Sequence, residues 1–238
     1  LSMAEIKRLP TAMGEADPLK SLLTLPGVTN AGEGASGFNV RGGGADQNLI
    51  LFDEAPVYNS SHLFGFFSVF NPDAVKDVKL IKGGIPAQYG GRASSILDVR
   101  MKEGNNKKLA VTGGIGTVFS RISIEAPIIK EKASFIIAMR RSYLDALVKP
   151  FLSDSNPLKN TQFYFYDLTA KFNYRINEKN TIFASGYLGR DVFAASVFNF
   201  NYFMLSVNIE TGDLSISFVS PLKSSISNSS LVQRLLTS

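Results

Sequence analysis

Residues 166–176 read YDLTAKFNYRI, and this stretch alternates without interruption between apolar and polar side chains. The apolar set occupies the even positions: Tyr166, Leu168, Ala170, Phe172, Tyr174 and Ile176. The polar set includes full charges and occupies the odd positions: Asp167, Thr169, Lys171, Asn173 and Arg175. Because successive side chains of a β-strand point to opposite faces, the stretch predicts a strand with one apolar and one polar face.

The same period of two recurs along the chain after Lys107, where signals for helices almost vanish. Between residues 121 and 128 the even positions are apolar, and the polar face carries Arg121, Ser123 and Glu125. Three further segments fit the pattern less strictly: 109–119, 135–143 and 181–192. The connections at 130–132 and 177–180 are short and charged, whereas the connection at 146–160 is long and contains two prolines. Short turns on one edge of an antiparallel sheet and long loops on the other are typical of outer-membrane barrels, with the short turns in the periplasm.

The period alone does not decide which solvent the apolar faces meet. In a water-soluble β-sandwich or barrel they would point inward, whereas in a membrane barrel they would face lipid. Three features favour the membrane: strands longer than the usual length of about five or six residues, aromatic residues throughout 163–166, and full charges on the polar faces. A soluble β-rich binding or adhesion module is the alternative.

Up to about Met101 no single period persists, and short elements alternate with dense glycine, which is typical of a compact α+β unit. Asp17-Pro18 predicts a helix up to Leu25, because Asp caps a helix N-terminus and Pro fits its first turn. Asn71-Pro72 predicts a second helix over residues 71–76 by the same rule. Strands are predicted at four segments, the first two able to pair as a hairpin: 38–41, 49–52, 78–82 and 95–101.

Composition excludes several function classes. The 238 residues contain no cysteine and one histidine, His62. These counts exclude disulfides, thiolate metal sites and multi-histidine metal centres, and we expect no metal and no cofactor. The 25 basic residues are spread along the chain and the net charge is +5, which does not support a nucleic-acid surface. No run approaches the roughly 18 apolar residues of a membrane-spanning helix.

Two local patterns resemble catalytic motifs but lack their structural context. Residues 32–37 read GEGASG, yet a strand is predicted after them instead of the helix that would face a pyrophosphate. Asp53 and Glu54 are adjacent carboxylates that would point to opposite faces of a strand. His62 has no identifiable nucleophile or orienting acid near it in the sequence. We therefore expect no enzymatic activity.

Five segments in order resemble the plug domain of TonB-dependent outer-membrane receptors: LPGV at 25–28, FNVRG at 38–42, LILFDEAPVY at 49–58, DVKLIKGG at 77–84 and YGGR at 89–92. Residues 113–143 are similar to the first barrel strands of that family. The resemblance implies an α+β plug domain over residues 1–105, followed over residues 106–238 by antiparallel β strands of an incomplete transmembrane β-barrel. Because the family's barrel has about 22 strands, the chain resembles the N-terminal portion of a longer protein.

This resemblance also implies a function at the bacterial outer membrane. The intact receptor would bind a scarce solute at its outer face with high affinity, and the energy-coupling protein TonB would pull on the plug to open a path into the periplasm. The implied partners are TonB, an extracellular solute and outer-membrane lipid. The TonB-coupling segment that the family carries before its plug is not evident in residues 1–9.

In the resembling family, loops at the outer face of the plug form the floor of the solute site. Residues 58–67 gather aromatic, hydroxyl, amide and imidazole groups, which suits a loop that touches a ligand or packs on a wall. The ligand-binding candidates are Tyr58, Asn59, Ser60, Ser61, His62 and Phe64.

The family also places paired plug arginines against glutamates of the barrel wall. Arg41 and Arg92 are the candidate arginines, and Glu125 on the polar face of its strand is the candidate partner. The alternative is that Glu125 neutralises Arg121 two positions away on the same face.

Residues 203–238 are rich in serine and lose the aromatic alternation expected of later barrel strands. Two interpretations are open: a reading-frame or assembly artefact, or a divergent pair of strands that turns at 211–213.

Overall fold

The computed structural model describes residues 1–9, 15–32, 37–87, 89–153, 162–193, 198–211 and 214–227. Short elements make up residues 1–101, here called the N-terminal domain: α1 (Met3–Ile6), α2 (Pro18–Ser21), β1 (Val28–Asn30), β2 (Phe38–Val40), β3 (Asn48–Phe52), β4 (Ala55–Pro56), β5 (Ser61–His62), β6 (Phe67–Ser68), β7 (Val75–Ile81) and β8 (Ser95–Met101). Four strands form a mixed sheet in the order β4-β3-β8-β7, in which β3 and β8 run parallel. The pairs β1–β2 and β5–β6 are antiparallel.

Helix α2 begins where the sequence predicts. The Oδ1 atom of Asp17 accepts hydrogen bonds from the backbone N–H groups of Leu19 and Lys20 at 2.8 and 3.2 Å. Pro18 fills the first turn, and a 3-10 turn over Leu22–Thr24 continues the helix. This helix prediction is confirmed.

Two other predictions for the N-terminal domain are wrong. Residues 71–74 form a turn, because the Asn71 side chain accepts a hydrogen bond from Asp73 N–H at 3.0 Å, and the chain enters β7 at Val75. Strands β2 and β3 do not form a hairpin, since β2 pairs with β1 and β3 pairs with β8. The non-local pairing with β8 prevails because it buries Ile96, Leu97 and Val99 completely or almost so.

The rest of the chain forms one antiparallel sheet, here called the wall. Its strands are β9 (Ala110–Ile115), β10 (Phe119–Ile129), β11 (Ala133–Ser142), β12 (Phe163–Arg175), β13 (Asn180–Phe193), β14 (Phe198–Thr211) and β15 (Leu214–Ser227). Each strand pairs with its neighbours in the chain, so the wall is the meander that the alternation predicted. Between β11 and β12 lie α3 (Leu144–Val148) and a 3-10 turn at Lys149–Phe151.

The wall buries its polar face and exposes its apolar face, which is the reverse of a sheet in a soluble protein. On β12, Asp167, Thr169 and Lys171 are 2%, 0% and 6% exposed, whereas Tyr166 and Phe172 are 41% and 38% exposed. The apolar outer face continues across neighbouring strands: Ile122, Ile124, Met139, Leu188, Phe203 and Leu205. A soluble sandwich would bury these apolar faces, so the arrangement is that of a membrane barrel with a filled lumen.

The N-terminal domain packs against the polar inner face of the wall. A single apolar core joins Phe52 and Phe70 of the domain to Ile136 and Tyr187 of the wall. At the junction, Gly104 has φ +81°, and a Cβ atom there would lie 2.4 Å from the carbonyl oxygen of Phe135. Only glycine allows this approach of the connecting backbone to β11.

The serine-rich tail contains strands. Thr211 lies opposite Leu214 in the register of β14 and β15, which agrees with a divergent strand pair. The turn residues 212–213, the end of the tail at 228–238 and residues 154–161 of the long connection lie outside the described residues. Within the described ranges, no helix is long and apolar enough to span a membrane.

Candidate functional site: the interface between the N-terminal domain and the wall

Arg140 on β11 is the centre of one part of this interface, with 1% of its side chain exposed. Its Nη1 donates to both carboxylate oxygens of Glu15 at 2.9 Å. Its Nε and Nη2 donate to Asp167 Oδ2 at 2.9 and 2.5 Å, and Nη2 also donates to the carbonyl oxygen of Ser68 at 2.7 Å. One wall arginine therefore connects two segments of the N-terminal domain to β12.

His62 shares the partner Asp167 with this arginine and is completely buried. Its Nδ1 is 2.5 Å from Asp191 Oδ1, and its Nε2 is 2.8 Å from the Tyr187 hydroxyl and 3.3 Å from Asp167 Oδ2. The imidazole stacks on the Phe165 ring with 4.4 Å between centroids and 9° between planes. The second oxygen of Asp191 accepts the backbone N–H of Leu63 at 3.1 Å. The wall thus holds both the side chain and the backbone of this segment.

Tyr187 reaches His62 because of a glycine two positions along β13. A Cβ atom at Gly189 would lie 2.6 Å from the Tyr187 hydroxyl oxygen and 3.0 Å from two ring carbons. The ring therefore occupies the space that any other residue at position 189 would fill. Gly189 sets the direction of the Tyr187 side chain.

Asp53 forms a second connection, at the turn between β3 and β4. Its Oδ2 is 2.9 Å from Lys171 Nζ, and the exposed fractions of the two side chains are 0% and 6%. Its Oδ1 accepts the backbone N–H of Met101 at 2.9 Å, and its carbonyl oxygen accepts the Ser206 hydroxyl at 3.0 Å. The turn is therefore fixed by β8, β12 and β14 together.

A third connection joins Asp73 to β10. The Nε of Arg121 lies 2.8 Å from Asp73 Oδ2, and 26% of the arginine side chain is exposed. Arg121 and Arg140 are directly opposite each other on β10 and β11, where like charges repel. A separate carboxylate of the N-terminal domain compensates each arginine.

The three connections follow one rule of charge. Neighbouring strands β10, β11 and β12 each present a base inward, and the N-terminal domain presents a buried carboxylate to each. Burial raises the pKa of Glu15, while the adjacent Arg140 guanidinium acts in the opposite direction. Removing one member of such a pair leaves an uncompensated buried charge, which costs roughly 3–5 kcal/mol.

Comparison with known proteins agrees with this architecture. Residues 6–95 match the family model described as the TonB-dependent receptor plug domain. The N-terminal domain is a TonB-dependent receptor plug. No curated protein sequence matches the chain.

Solved receptor structures share the fold of the plug and the wall. The siderophore receptor PirA from Acinetobacter baumannii matches with a TM-score of 0.64 and 14% identity, over 92% of this chain and 38% of that one. PirA from Pseudomonas aeruginosa matches with a TM-score of 0.60 and 16% identity, over 92% and 40% of the two chains. The copper transporter OprC matches with a TM-score of 0.58 and 14% identity, over 90% and 34%.

The chain therefore spans well under half the length of these receptors. At these identities the likeness shows the fold, which is a plug docked on part of a barrel wall. The plug family model and this fold together agree with the N-terminal portion of a TonB-dependent outer-membrane receptor.

The buried connections between plug and wall use other residues than the arginines Arg41 and Arg92 and the glutamate Glu125 that the sequence suggested. Arg41 and Arg92 are exposed, and Glu125 is 3.7 Å from Lys102 Nζ, a lysine that follows β8. Arg121, the alternative partner of Glu125, pairs with Asp73 instead. The expected polarity is thus reversed at the pairs Asp73–Arg121, Glu15–Arg140 and Asp53–Lys171, where the plug supplies the acids and the wall supplies the bases. It is kept where His62 faces Asp191.

The ligand-binding candidates divide into two groups. Tyr58 is 69% exposed and Asn59 is half-buried, whereas Ser60, Ser61 and His62 are buried. Asn59 also accepts the backbone N–H of Ser61 at 3.3 Å through its side-chain oxygen. The side chain of Phe64 lies outside the described residues. Two alternatives were open for this segment. His62 packs on the wall, whereas contact with a ligand stays a prediction for Tyr58 and Asn59.

Two cavities adjoin the plug. One of about 200 Å³ has Tyr58, Ser60, Asn48 and Arg92 in its lining. The other, of about 260 Å³, lies between the plug and the wall, and Lys171 is part of its lining. Within the described part of the chain, no group of three or more His, Cys, Asp or Glu residues could hold a metal ion.

Proposed function

We propose that the intact protein is an outer-membrane receptor that takes up a scarce solute with high affinity in a process driven by TonB. The main support is the set of buried ion pairs Asp73–Arg121, Glu15–Arg140 and Asp53–Lys171. When a plug held by polar contacts moves, water can replace the lost hydrogen bonds, whereas apolar faces would be left exposed. These polar contacts, which accompany the apolar packing of Phe52 and Phe70 on Ile136 and Tyr187, therefore suit a plug that must leave the wall and return.

The names of the similar structures suggest the first solutes to test. Two of them are siderophore receptors and one is a copper transporter. We include ferric siderophores and copper ions in the panel, together with cobalamin, glycans and peptides. Tyr58 and Asn59 are the contact residues that we propose on the plug.

Uptake assays in the host bacterium test this function. Cells lacking the receptor gene receive the full-length gene, in backgrounds with and without TonB, and uptake of each labelled solute is measured. We expect saturable uptake of one solute class that requires both the receptor and TonB. Uptake that persists without TonB would contradict the coupling, and a receptor that fractionates away from the outer membrane would contradict the whole assignment.

A direct binding measurement complements the uptake assay. The purified full-length receptor in detergent is titrated with the periplasmic domain of TonB, with and without the transported solute. We expect a complex in both cases. Absence of any complex would contradict TonB as the partner.

A further inference from the structure

His62 is placed so that both of its ring nitrogens face acceptors. Asp191 Oδ1 is 2.5 Å from Nδ1, and Asp167 Oδ2 is 3.3 Å from Nε2, where the Tyr187 hydroxyl also lies at 2.8 Å. A carboxylate only accepts hydrogen bonds, so Nδ1 must carry a proton. A lone pair on Nε2 would face the carboxylate of Asp167, whereas a proton there would be attracted to it.

The charges around His62 lead to the same state. Its immediate cluster contains the carboxylates of Glu15, Asp167 and Asp191 and the guanidinium of Arg140. With a neutral imidazole, this buried group would have a net charge of −2, and with an imidazolium the net charge is −1. Asp17 lies near Glu15 and is already bound to backbone N–H groups, and Arg190 is on the opposite face of β13.

Asp167 connects His62 to the N-terminal segment of the plug. Its Oδ2 atom accepts from Arg140 at 2.9 Å while facing His62 Nε2 at 3.3 Å. Arg140 in turn holds Glu15 through two hydrogen bonds of 2.9 Å. Two plug segments that are far apart in sequence are thus connected through side chains of β11 and β12.

We propose that His62 is a positioning residue that, when doubly protonated, couples the segment carrying Tyr58 and Asn59 to the N-terminal plug segment at Glu15 through Asp167 and Arg140. This rests on the proposed function only in treating Tyr58 and Asn59 as the part that faces the solute. A movement of the solute-facing segment that withdraws His62 changes the charge around Asp167. The hold of Arg140 on Glu15 changes with it, at the end of the plug nearer to the N-terminus.

The titration of His62 gives this coupling a direction with pH. Burial alone would lower the pKa of His62, but the carboxylates of Asp191 and Asp167 outweigh it and raise the pKa above its ordinary value of 6.5. A group with a raised pKa in the docked state contributes its full stabilisation below its ordinary pKa. That contribution is lost as the pH rises through the raised pKa, so the coupling weakens in alkaline solution.

Two measurements on the full-length receptor in detergent test the proposal without any solute. Histidine-labelled protein is titrated by NMR, and His62→Gln identifies the signal of His62. Hydrogen exchange of the backbone amides at residues 15–21 is then measured over the same pH range. It is expressed as protection factors, because these correct for the intrinsic pH dependence of exchange. We expect His62 to titrate above 6.5, and the protection at 15–21 to fall by at least tenfold over the same pH interval.

Matched variants separate coupling from a general loss of stability. Asp191→Asn is expected to lower the pKa of His62 and shift the loss of protection to lower pH. Asp98→Asn changes another largely buried plug carboxylate, which contacts Arg100 and not His62, and should leave both curves in place. His62→Gln should abolish the pH dependence at 15–21.

Two results would overturn the proposal. One is a His62 that titrates at or below 6.5, and the other is protection at residues 15–21 that does not follow its titration. Hydrogen exchange of the wild-type receptor alone shows whether the protection at residues 15–21 falls as the pH rises above 6.5, so the test stands even where a variant fails to fold. Neither result depends on the solute, so a failure of the uptake assays remains distinguishable from a failure of this coupling.

Discussion

The turn between β3 and β4 places two consecutive side-chain-bearing residues in left-handed backbone conformations. Asp53 has φ +45° and Glu54 has φ +71°. Two-residue hairpin turns of this kind favour Asn, Asp or Gly, and a strained residue costs on the order of 1–3 kcal/mol. Contacts with Lys171 and Met101 hold Asp53 in this backbone conformation. Glu54 pairs with the partly exposed Arg100 at 3.0 Å.

Glu54→Gly is expected to stabilise the plug by about 1 kcal/mol, because relief of strain exceeds the loss of a partly exposed ion pair. The thermal transition of the plug within the full-length receptor, followed by calorimetry, measures the change. Asp53→Gly is the matched control, since it relieves similar strain but removes the carboxylate that Lys171 needs, and it should lower the transition. A transition that falls for Glu54→Gly would refute the strain at this turn.

Gly189→Ala is expected to displace Tyr187 and loosen the segment around His62. The added Cβ atom would lie 2.6 Å from the Tyr187 hydroxyl oxygen, whereas the same atom at Gly186 would meet its nearest neighbour at an ordinary 3.7 Å. The rate at which diethyl pyrocarbonate modifies His62 should therefore rise several-fold in Gly189→Ala and stay unchanged in Gly186→Ala. Equal rates in the two variants would show that the tyrosine does not depend on position 189.

The residue types in the sequence indicated which chemical groups gather around His62, but they did not predict which side chains pair with one another. The sequence identified the segment around His62, yet its partner Asp191 lies 129 positions away, and no local pattern connects the two. The acids Glu15, Asp53 and Asp73 are ordinary polar residues in the sequence. Their role follows from the pairing of strands, which brings β10, β11 and β12 next to one another.

At the scale of elements, the sequence predicted most where one period persists. The alternation at 166–176 predicted both the strand and its two faces, because a barrel wall separates lipid from lumen along its whole length. Predictions failed in the N-terminal domain, where β3 pairs with β8 across more than forty residues. Short-range hairpin and cap signals cannot anticipate such a pairing, since burial on both sides of β8 decides it.

The outer face of the wall provides a test at this scale. Leu188 on β13 is 49% exposed, and Leu188→Arg would place a charge in lipid at roughly 2–4 kcal/mol near the bilayer midplane. We expect less folded receptor in outer membranes, measured as the heat-modifiable band on gels, while Leu188→Ala stays close to wild type. Normal assembly of Leu188→Arg would mean that this face does not meet lipid.

In the molecule as a whole, the plug–wall connections differ in burial and should differ in strength. Arg140 is 1% exposed and binds two carboxylates, whereas Arg121 is 26% exposed and binds Asp73. Arg140→Ala should therefore weaken the docking of the plug by roughly 3–5 kcal/mol. Arg121→Ala should weaken it less.

Ionic conductance of the full-length receptor in planar bilayers measures this release. We expect frequent openings for Arg140→Ala and rare ones for Arg121→Ala. The double variant with Glu15→Ala tests the contact itself, because non-additive effects indicate that the two residues interact. Additive effects would contradict a direct role of the Glu15–Arg140 pair in closing the lumen.

The close approach at Gly104 decides how the plug yields to a mechanical load. Glu103 accepts the Ser134 hydroxyl at 2.7 Å through its carbonyl oxygen, so the downstream end of the plug is anchored to β11. At the other end, Leu1 is joined to Val78 on the outer edge of β7 by backbone hydrogen bonds of 2.8 and 2.9 Å. A pull at that end breaks such bonds one after another, which needs less force than shearing a whole strand at once. The plug therefore peels from the end at Leu1 while its anchored end keeps the chain beside the wall, so refolding after the load is released starts from a tethered position.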